Sequence, residues 1–265
     1  MLLPGFFGLI IGILGAVLGI GGGSLFVPLL LLLYKIPVNI AVGTSLVVVL
    51  ANAISGTIAY TIQGKVDYRS GSLFALAALP GAVLGSFFTR YLPAQLFRYV
   101  FAAFLAAISL FLLLSKRQKA PLPSPAGQGG DKGALREIVD REGNLYSYRV
   151  RESLGLLVSA LIGFTANVLG IGGAVLLVPL MILVLDIPVY IAAATSYFVL
   201  VFSTLVGVLI NVAQGNVNFN LAFGLALGSI VGGQAGAVLS RKVPPKVIEF
   251  LLAVVLLGVA VKLLI

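Results

Sequence analysis

Seven stretches of this chain contain no charged residue: 1–34, 36–64, 70–89, 99–115, 153–185, 187–240 and 250–261. A helix crosses the hydrocarbon core of a bilayer with roughly 20 apolar residues. Every run except the last has room for a span, and 187–240 must hold two. The pattern describes an all-α polytopic membrane protein. Composition agrees, with 60% hydrophobic and 9% charged residues, where soluble domains carry about 25% charged. The start, MLLPGFFGLI, lacks a basic segment and a small-residue cleavage site, so it reads as the first span itself.

The chain contains no cysteine and no histidine. Disulfides, Cys or His metal sites and His-based acid–base chemistry are therefore excluded. The net charge of +9 does not indicate nucleic acid, because eight of the 17 Lys and Arg fall in residues 115–151, beside a span end. That is the signature of membrane orientation with the basic segment in the cytoplasm.

A shift of 151 positions superimposes one part of the chain on another without a gap. It maps Pro28 on Pro179, Pro37 on Pro188, Thr44 on Thr195, Gln63 on Gln214, Gly81 on Gly232 and Arg90 on Arg241. The expected organisation is two homologous membrane repeats, 1–114 and 152–265, joined by a polar cytoplasmic linker, 115–151. Duplicated membrane units are a common plan of secondary transporters, with the substrate at the repeat interface near mid-membrane. Each half is expected to hold four to five membrane segments: helices at about 3–18, 24–34, 38–63, 70–89 and 95–114, and their counterparts. Charge favours inverted over parallel halves, since inversion puts Lys65, Arg69, Arg241, Lys242 and Lys246 on one side with the linker. Lys35, Arg90 and Arg98 are the contrary charges. Within the linker region, a turn signal at Asp140–Asn144 between apolar–polar runs predicts a small β-hairpin.

The first helix is broken by LGIGGGSLFVPLL and its counterpart by LGIGGAVLLVPLM. Neither is a dinucleotide fingerprint, because Ser24 and Val175 stand where the last glycine belongs and no βαβ pattern surrounds them. Small residues also serve helix packing, and Gly8/Gly12, Gly81/Gly85 and Gly228/Gly232/Gly236 have the four-residue spacing of such faces. Three consecutive glycines do not; each costs about 1 kcal/mol of helix propensity against alanine. Unwound backbone at membrane depth is tolerated only inside protein or beside a water-filled cavity. A helix that restarts at Ser24 offers unpaired N–H groups and a positive dipole end, which suit an anion. The candidate substrate residues are Gly21, Gly22, Gly23 and Ser24, with Gly172 and Gly173 in the second half. The hydroxyls of Thr44, Ser45, Thr195 and Ser196 are candidate donors, with helix back-bonding as their alternative role. Asn52, Ser55, Asn167, Ser203 and Gln234 are not matched by the same residue in the other copy, and would make the site asymmetric. Lys35/Asp186 and Arg98/Glu249 sit at span ends as anchors, so no proton-relay carboxylate is expected in the core.

These motifs, GIGGGSLFVPLL followed by AVGTSL and repeated as GIGGAVLLVPLM with AAATSY, resemble the TauE/SafE sulfite exporter family, also called the toluene sulfonate uptake permease family. The resemblance spans both halves. It implies a multi-pass transporter of the prokaryotic cytoplasmic membrane that carries small sulfur-containing or carboxylate anions, such as sulfite, sulfoacetate or sulfonates. It implies protons or the membrane potential as the coupling force, with no cofactor. Ala174 and Val175 depart from the Gly-Ser of the first half. Alternating access between the halves is the expected mechanism; a passive anion channel lined by the same helix ends is the alternative. A membrane enzyme is disfavoured by the lack of an acid–base pair, metal cluster or cofactor motif.

Overall fold

The computed structural model describes residues 2–18, 20–114, 134–240 and 245–264. The first half holds α1 (Leu2–Leu18), α2 (Gly23–Leu32), α3 (Val38–Ile62), α4 (Tyr68–Phe88) and α5 (Ala94–Leu114). Strands β1 (Ala134–Val139) and β2 (Leu145–Val150) follow. The second half holds α6 (Glu152–Leu169), α7 (Ala174–Leu183), α8 (Val189–Ala213), α9 (Phe219–Leu239) and α10 (Pro245–Leu264). Among the described residues, α3, α4 with the short turn after it, α6, α8 and α9 are long and apolar enough to cross a membrane. Helices α2 and α7 have ten residues each, about 15 Å at 1.5 Å per residue, half a bilayer core. Gly19, most of the linker, Arg241 and Lys242 lie outside the described residues.

Local chemistry explains where the helices stop. Pro37 and Pro188, at φ −56° and −55°, are the N-caps of α3 and α8, since a fixed φ suits a helix start and the ring bars continuation of the helix before it. Lys35 and Asp186 take positive φ values, 52° and 53°, where the chain turns out of the short helices. Asp67 and Asn218 cap α4 and α9 by accepting the amide hydrogens of Ser70 and Leu221. Pro28 and Pro179 lie inside the short helices and free the carbonyls of Ser24 and Val175, four residues back.

Glycines set the close packing. A Cβ at Gly8 would fall on the backbone of Leu225, at Gly12 on Ser229, and at Gly236 on Ile13. These contacts ascend together along both chains, so α1 and α9 run side by side in one direction. Gly81 and Gly85 press likewise on Ala160 and Phe164, and Gly155 on Phe74, which makes α4 and α6 parallel. Between α3 and α8 the order reverses: Gly43 meets Asn211, Leu46 meets Gly207, and Gly56 meets Tyr197. The central pair is antiparallel, and Val42, Leu46, Val49 and Leu200 lie in the main core beside both short helices.

The turn signal gives an antiparallel hairpin with Ala134 opposite Val150 and Val139 opposite Leu145. Asp140 Oδ1 accepts the amides of Glu142 and Asn144, both at 2.9 Å, and this shapes the turn. The hairpin docks on the ends of three helices. Arg141 N–H donates to the carbonyl of Gln63 (3.2 Å) after α3. Lys65 Nζ lies 3.9 Å from Asp140. Arg136, buried, pairs with Asp67 at 3.9 Å and with Glu152 at the start of α6.

Candidate functional site

Each helix break is built from two consecutive glycines in the left-handed region. Gly21 and Gly22 have φ values of 74° and 75°; Gly172 and Gly173 have 78° and 98°. Only glycine adopts these angles without strain, so the chain can reverse and restart as a new helix within four residues. Gly22 is the N-cap of α2 and Gly173 of α7. The carbonyl of Gly22 accepts from Leu25 and Phe26, and that of Gly173 from Leu176 and Leu177. The amides ahead of those donors, at Gly23, Ser24, Ala174 and Val175, open their helices with no intrahelical acceptor.

The two breaks meet. A Cβ at Gly23 would fall on the carbonyl of Ile171. Val49 and Leu200 each pack on both Gly21 and Gly172, forming an apolar partition where the breaks converge. All of these residues are buried. The dipole ends of α2 and α7 therefore lie beside one another in the interior, without a neighbouring charged side chain on the lining described below.

The polar candidates divide by what they hold. Asn52 Nδ2 donates to the Gly21 carbonyl (3.1 Å), and Ser203 Oγ to the Gly172 carbonyl (3.2 Å). Ser45 Oγ donates to the Gly170 carbonyl (2.9 Å). These three satisfy the carbonyls that unwinding exposes, which leaves the amide side of each break for a ligand. Thr195 Oγ1 accepts the amide of Asp67 (3.0 Å), and Thr44 Oγ1 accepts that of Asn218 (2.9 Å). Both threonines thus tie down the starts of α4 and α9, away from the glycines. Ser196 donates to its own helix at the Ala193 carbonyl (2.8 Å). Asn167 donates to the Gly163 carbonyl and lies against Ser86 and Gly207, so its side chain is already engaged by the scaffold. Gln234 is exposed on the outside of α9. Ser55 bonds the Ile230 carbonyl.

Among the described residues four buried hydroxyl oxygens have no partner, those of Ser24, Tyr34, Thr57 and Ser159. Two of them, Ser24 in the first turn of α2 and Ser159 on α6, belong to residues buried as a whole. An unsatisfied buried hydroxyl is costly and marks a place where a ligand or water completes the bonding. Ser159 escaped the sequence reading. Its signal was available, because the equivalent position in the first half is Gly8, and polarity on one side only had already singled out Ser55, opposite Val206, and Asn167, opposite Ala16. A cavity of about 10 Å3 lies beside it, lined by Ser159, Gly172, Gly173, Ser196, Leu200 and Ser203 among others. That is room for about one water. At the first break the corresponding space is occupied: Phe26, fully buried, stands where the second half has Leu177, and its ring lies against Gly22.

Comparison with known proteins adds to this geometry. The model of the family described as sulfite exporter TauE/SafE matches residues 5–263. The chain is 33% identical over 264 residues to the probable membrane transporter protein YunE of Bacillus subtilis, covering 97% of this chain and 94% of that protein. A probable membrane transporter protein of Methanocaldococcus jannaschii is 25% identical over 264 residues, covering 94% of this chain and 90% of that protein. No solved structure matches.

Proposed function

The chain belongs to the TauE/SafE sulfite exporter family, and from that premise we propose that this membrane transporter is a secondary carrier of a small sulfur-containing or carboxylate anion, working by alternating access across the cytoplasmic membrane of a prokaryote. The observation that carries the reading is the meeting of the breaks, with Gly23 on Ile171 and a short-helix N-terminus opening from each. Two dipole ends and several free amides attract an anion without a buried cation, which would bind it too tightly to release.

The halves act as inverted repeats. Supporting this, α3 and α8, which the 151-residue shift equates, run antiparallel, while α1 runs parallel to α9 and α4 to α6. The hairpin, Lys65 and Arg69 share one surface, and their counterparts at the far surface are Asn216 and Asn220, which carry no charge. The positive-inside bias assigns the hairpin surface to the cytoplasm. A cavity with room for about one water is too small for an oxyanion such as sulfite. Binding therefore requires the surrounding helices to part, as a carrier does and a standing pore does not. Gly21, Gly22, Gly23, Ser24, Gly172, Gly173, Ser159 and Ser196 form the substrate-facing set. Ser45, Asn52 and Ser203 hold the carbonyls turned away from it.

The test is efflux from proteoliposomes loaded with sulfite, with and without an imposed pH gradient. Saturable efflux, accelerated by sulfite outside and responsive to the gradient, is the expected result. Non-saturable efflux without trans-acceleration would make the protein an anion channel. No sulfite movement under any condition would overturn sulfite as the substrate and turn attention to larger sulfonates and carboxylates.

A further inference from the structure

We infer that the β1–β2 hairpin is the gate over the second glycine break, with Arg136 as its latch. This rests on the reading of that break as part of the substrate site, and it adds a residue and an element to which no transport role attaches from the glycine motifs. The hairpin is joined to the cavity through one continuous apolar cluster. Tyr148 and Val150 of β2 pack with Phe74 of α4, Met181 of α7, Leu185 just after α7, and Ile191 of α8. The same cluster contains Ile162, Leu177 and Val199, which line the cavity. From the cavity to the hairpin surface there is thus a dry seal, and the hairpin is its outermost layer. An anion reaching Ser159 from this side must part these residues, because apolar contact at interior density leaves no path for water or solute.

Charge holds the outermost layer in place. Arg136 is 8% exposed, and its guanidinium reaches Asp67, Ser70 and Glu152. It therefore staples the start of α4 in the first half to the start of α6 in the second. Tyr148 O–H donates to the same Asp67 (2.8 Å), whose amide donates to Thr195 of α8. Lys65, paired with Asp140, lies 5.3 Å from the ring centre of Tyr190 at the start of α8. Alternating access moves one repeat against the other, and every one of these bonds spans that boundary or anchors the hairpin across it. The far surface is closed differently. There the turn after α8 is held by neutral bonds, Asn39 Nδ2 to Asn216 Oδ1 (2.9 Å) and Asn216 Nδ2 to Gln214 (3.0 Å), with no hairpin over it among the described residues. The two sides of the carrier are therefore unequal, and the hairpin side is the one with a separate latch. The guanidinium matters here for geometry as well as charge, since its planar fork can engage Asp67 and Glu152 together.

The absence of cysteine permits a direct test. Ser159→Cys is placed in the full chain, reconstituted in vesicles, and its labelling by a membrane-impermeant thiol reagent is timed from the hairpin side. Ser24→Cys, in a separate chain, reports the first break. Labelling of Ser159→Cys is expected to be slow with the native hairpin and at least tenfold faster with Arg136→Gln. Labelling of Ser24→Cys should change little. Equal rates at Ser159→Cys with and without Arg136 would overturn the gate. So would equal acceleration at both cysteines, which would mean a loosened bundle and not an opened path. Tyr148→Phe is the milder variant, expected to give an intermediate rate and to exclude misfolding as the cause. Sulfite flux measured in the same vesicles keeps the two readings apart: hairpin-dependent labelling without flux supports the gate and overturns only the choice of sulfite.

Discussion

Tyr148 donates its hydroxyl hydrogen to Oδ2 of Asp67 across 2.8 Å, joining the hairpin to the residue that caps α4. Burial pushes the Tyr148 phenol far above its ordinary value, and the Asp67 carboxylate beside it pushes the same way, against a smaller opposing effect of Arg136. The phenol therefore remains a donor well into alkaline solution. Sign matters for stability: a folded value above the unfolded one gives a contribution that is complete below about pH 10 and is lost only as the pH passes the raised folded value.

Tyr148→Phe removes this bond and leaves Asp67 with one donor fewer. The expected loss is about 1–2 kcal/mol of hairpin stability. Hydrogen exchange of the β1 and β2 amides checks it. Exchange should speed up in the hairpin and stay unchanged in α3. Unchanged protection in β2 would contradict the assigned role.

Asp140 supplies an acid limit. Burial raises its carboxyl, but hydrogen bonds from the side chain and backbone of Asn144, the backbone of Glu142 and the charge of Lys65 outweigh this and hold it below its ordinary value. A depressed folded value means that the stabilisation is present above the unfolded value of about 4 and is lost as the pH falls through the lower folded one. Docking of the hairpin should therefore be constant from neutral pH down to mild acid and weaken only below the usual carboxylate range. In Asp140→Asn that acid transition should disappear, as followed by exchange at Asn144. Persistence of the transition would assign it to another carboxylate.

Gly23→Ala tests the meeting of the breaks. Its new Cβ would fall on the Ile171 carbonyl, and the backbone of the second break must shift to admit it. A cost of about 1–3 kcal/mol is expected from overpacking, with transport reduced at least in proportion to the displacement of α7. The counterpart Ala174 already carries a Cβ, so Ala174→Gly should cost about 1 kcal/mol or less and leave transport nearly intact. Thermal unfolding and sulfite flux on both variants give the comparison.

Ser159→Ala and Ser203→Ala separate binding from scaffold. Ser159 has no partner to lose, so its removal should leave stability within about 0.5 kcal/mol while raising the KM for the transported anion. Ser203→Ala strands the Gly172 carbonyl and should cost about 1–3 kcal/mol. Melting temperature against KM distinguishes them. A melting loss in Ser159→Ala would show that its hydroxyl is structural.

The elements were legible because their causes are local. Charge-free runs mark the spans, Pro37 and Pro188 start α3 and α8, and the Asp140–Asn144 turn folds on its own carboxylate. Helices expected at about 24–34 and 70–89 run instead over 23–32 and 68–88, differences of a residue or two set by the caps Gly22 and Asp67. The site was legible in part. The glycine breaks could be named, but hydroxyl roles could not: Thr44 and Thr195 hold helix starts, Asn52 and Ser203 hold loop carbonyls, and Gln234 faces outward. Each depends on which carbonyl or amide lies opposite, and that partner comes from the other half for Thr44, Thr195 and Ser45.

The sequence by itself determined that this is a helical membrane protein with two glycine-broken helices, because hydropathy, proline and glycine act over a few residues. Tertiary structure alone decided that the breaks touch at Gly23 and Ile171, that Ser159 stands unpaired beside the second, and that Arg136 ties the hairpin to Asp67 and Glu152. Those outcomes depend on contacts between residues far apart in the chain, such as Gly23 with Ile171 and Arg136 with Asp67. Helix propensity carries no record of such pairings; they are settled by which glycines let two backbones come close.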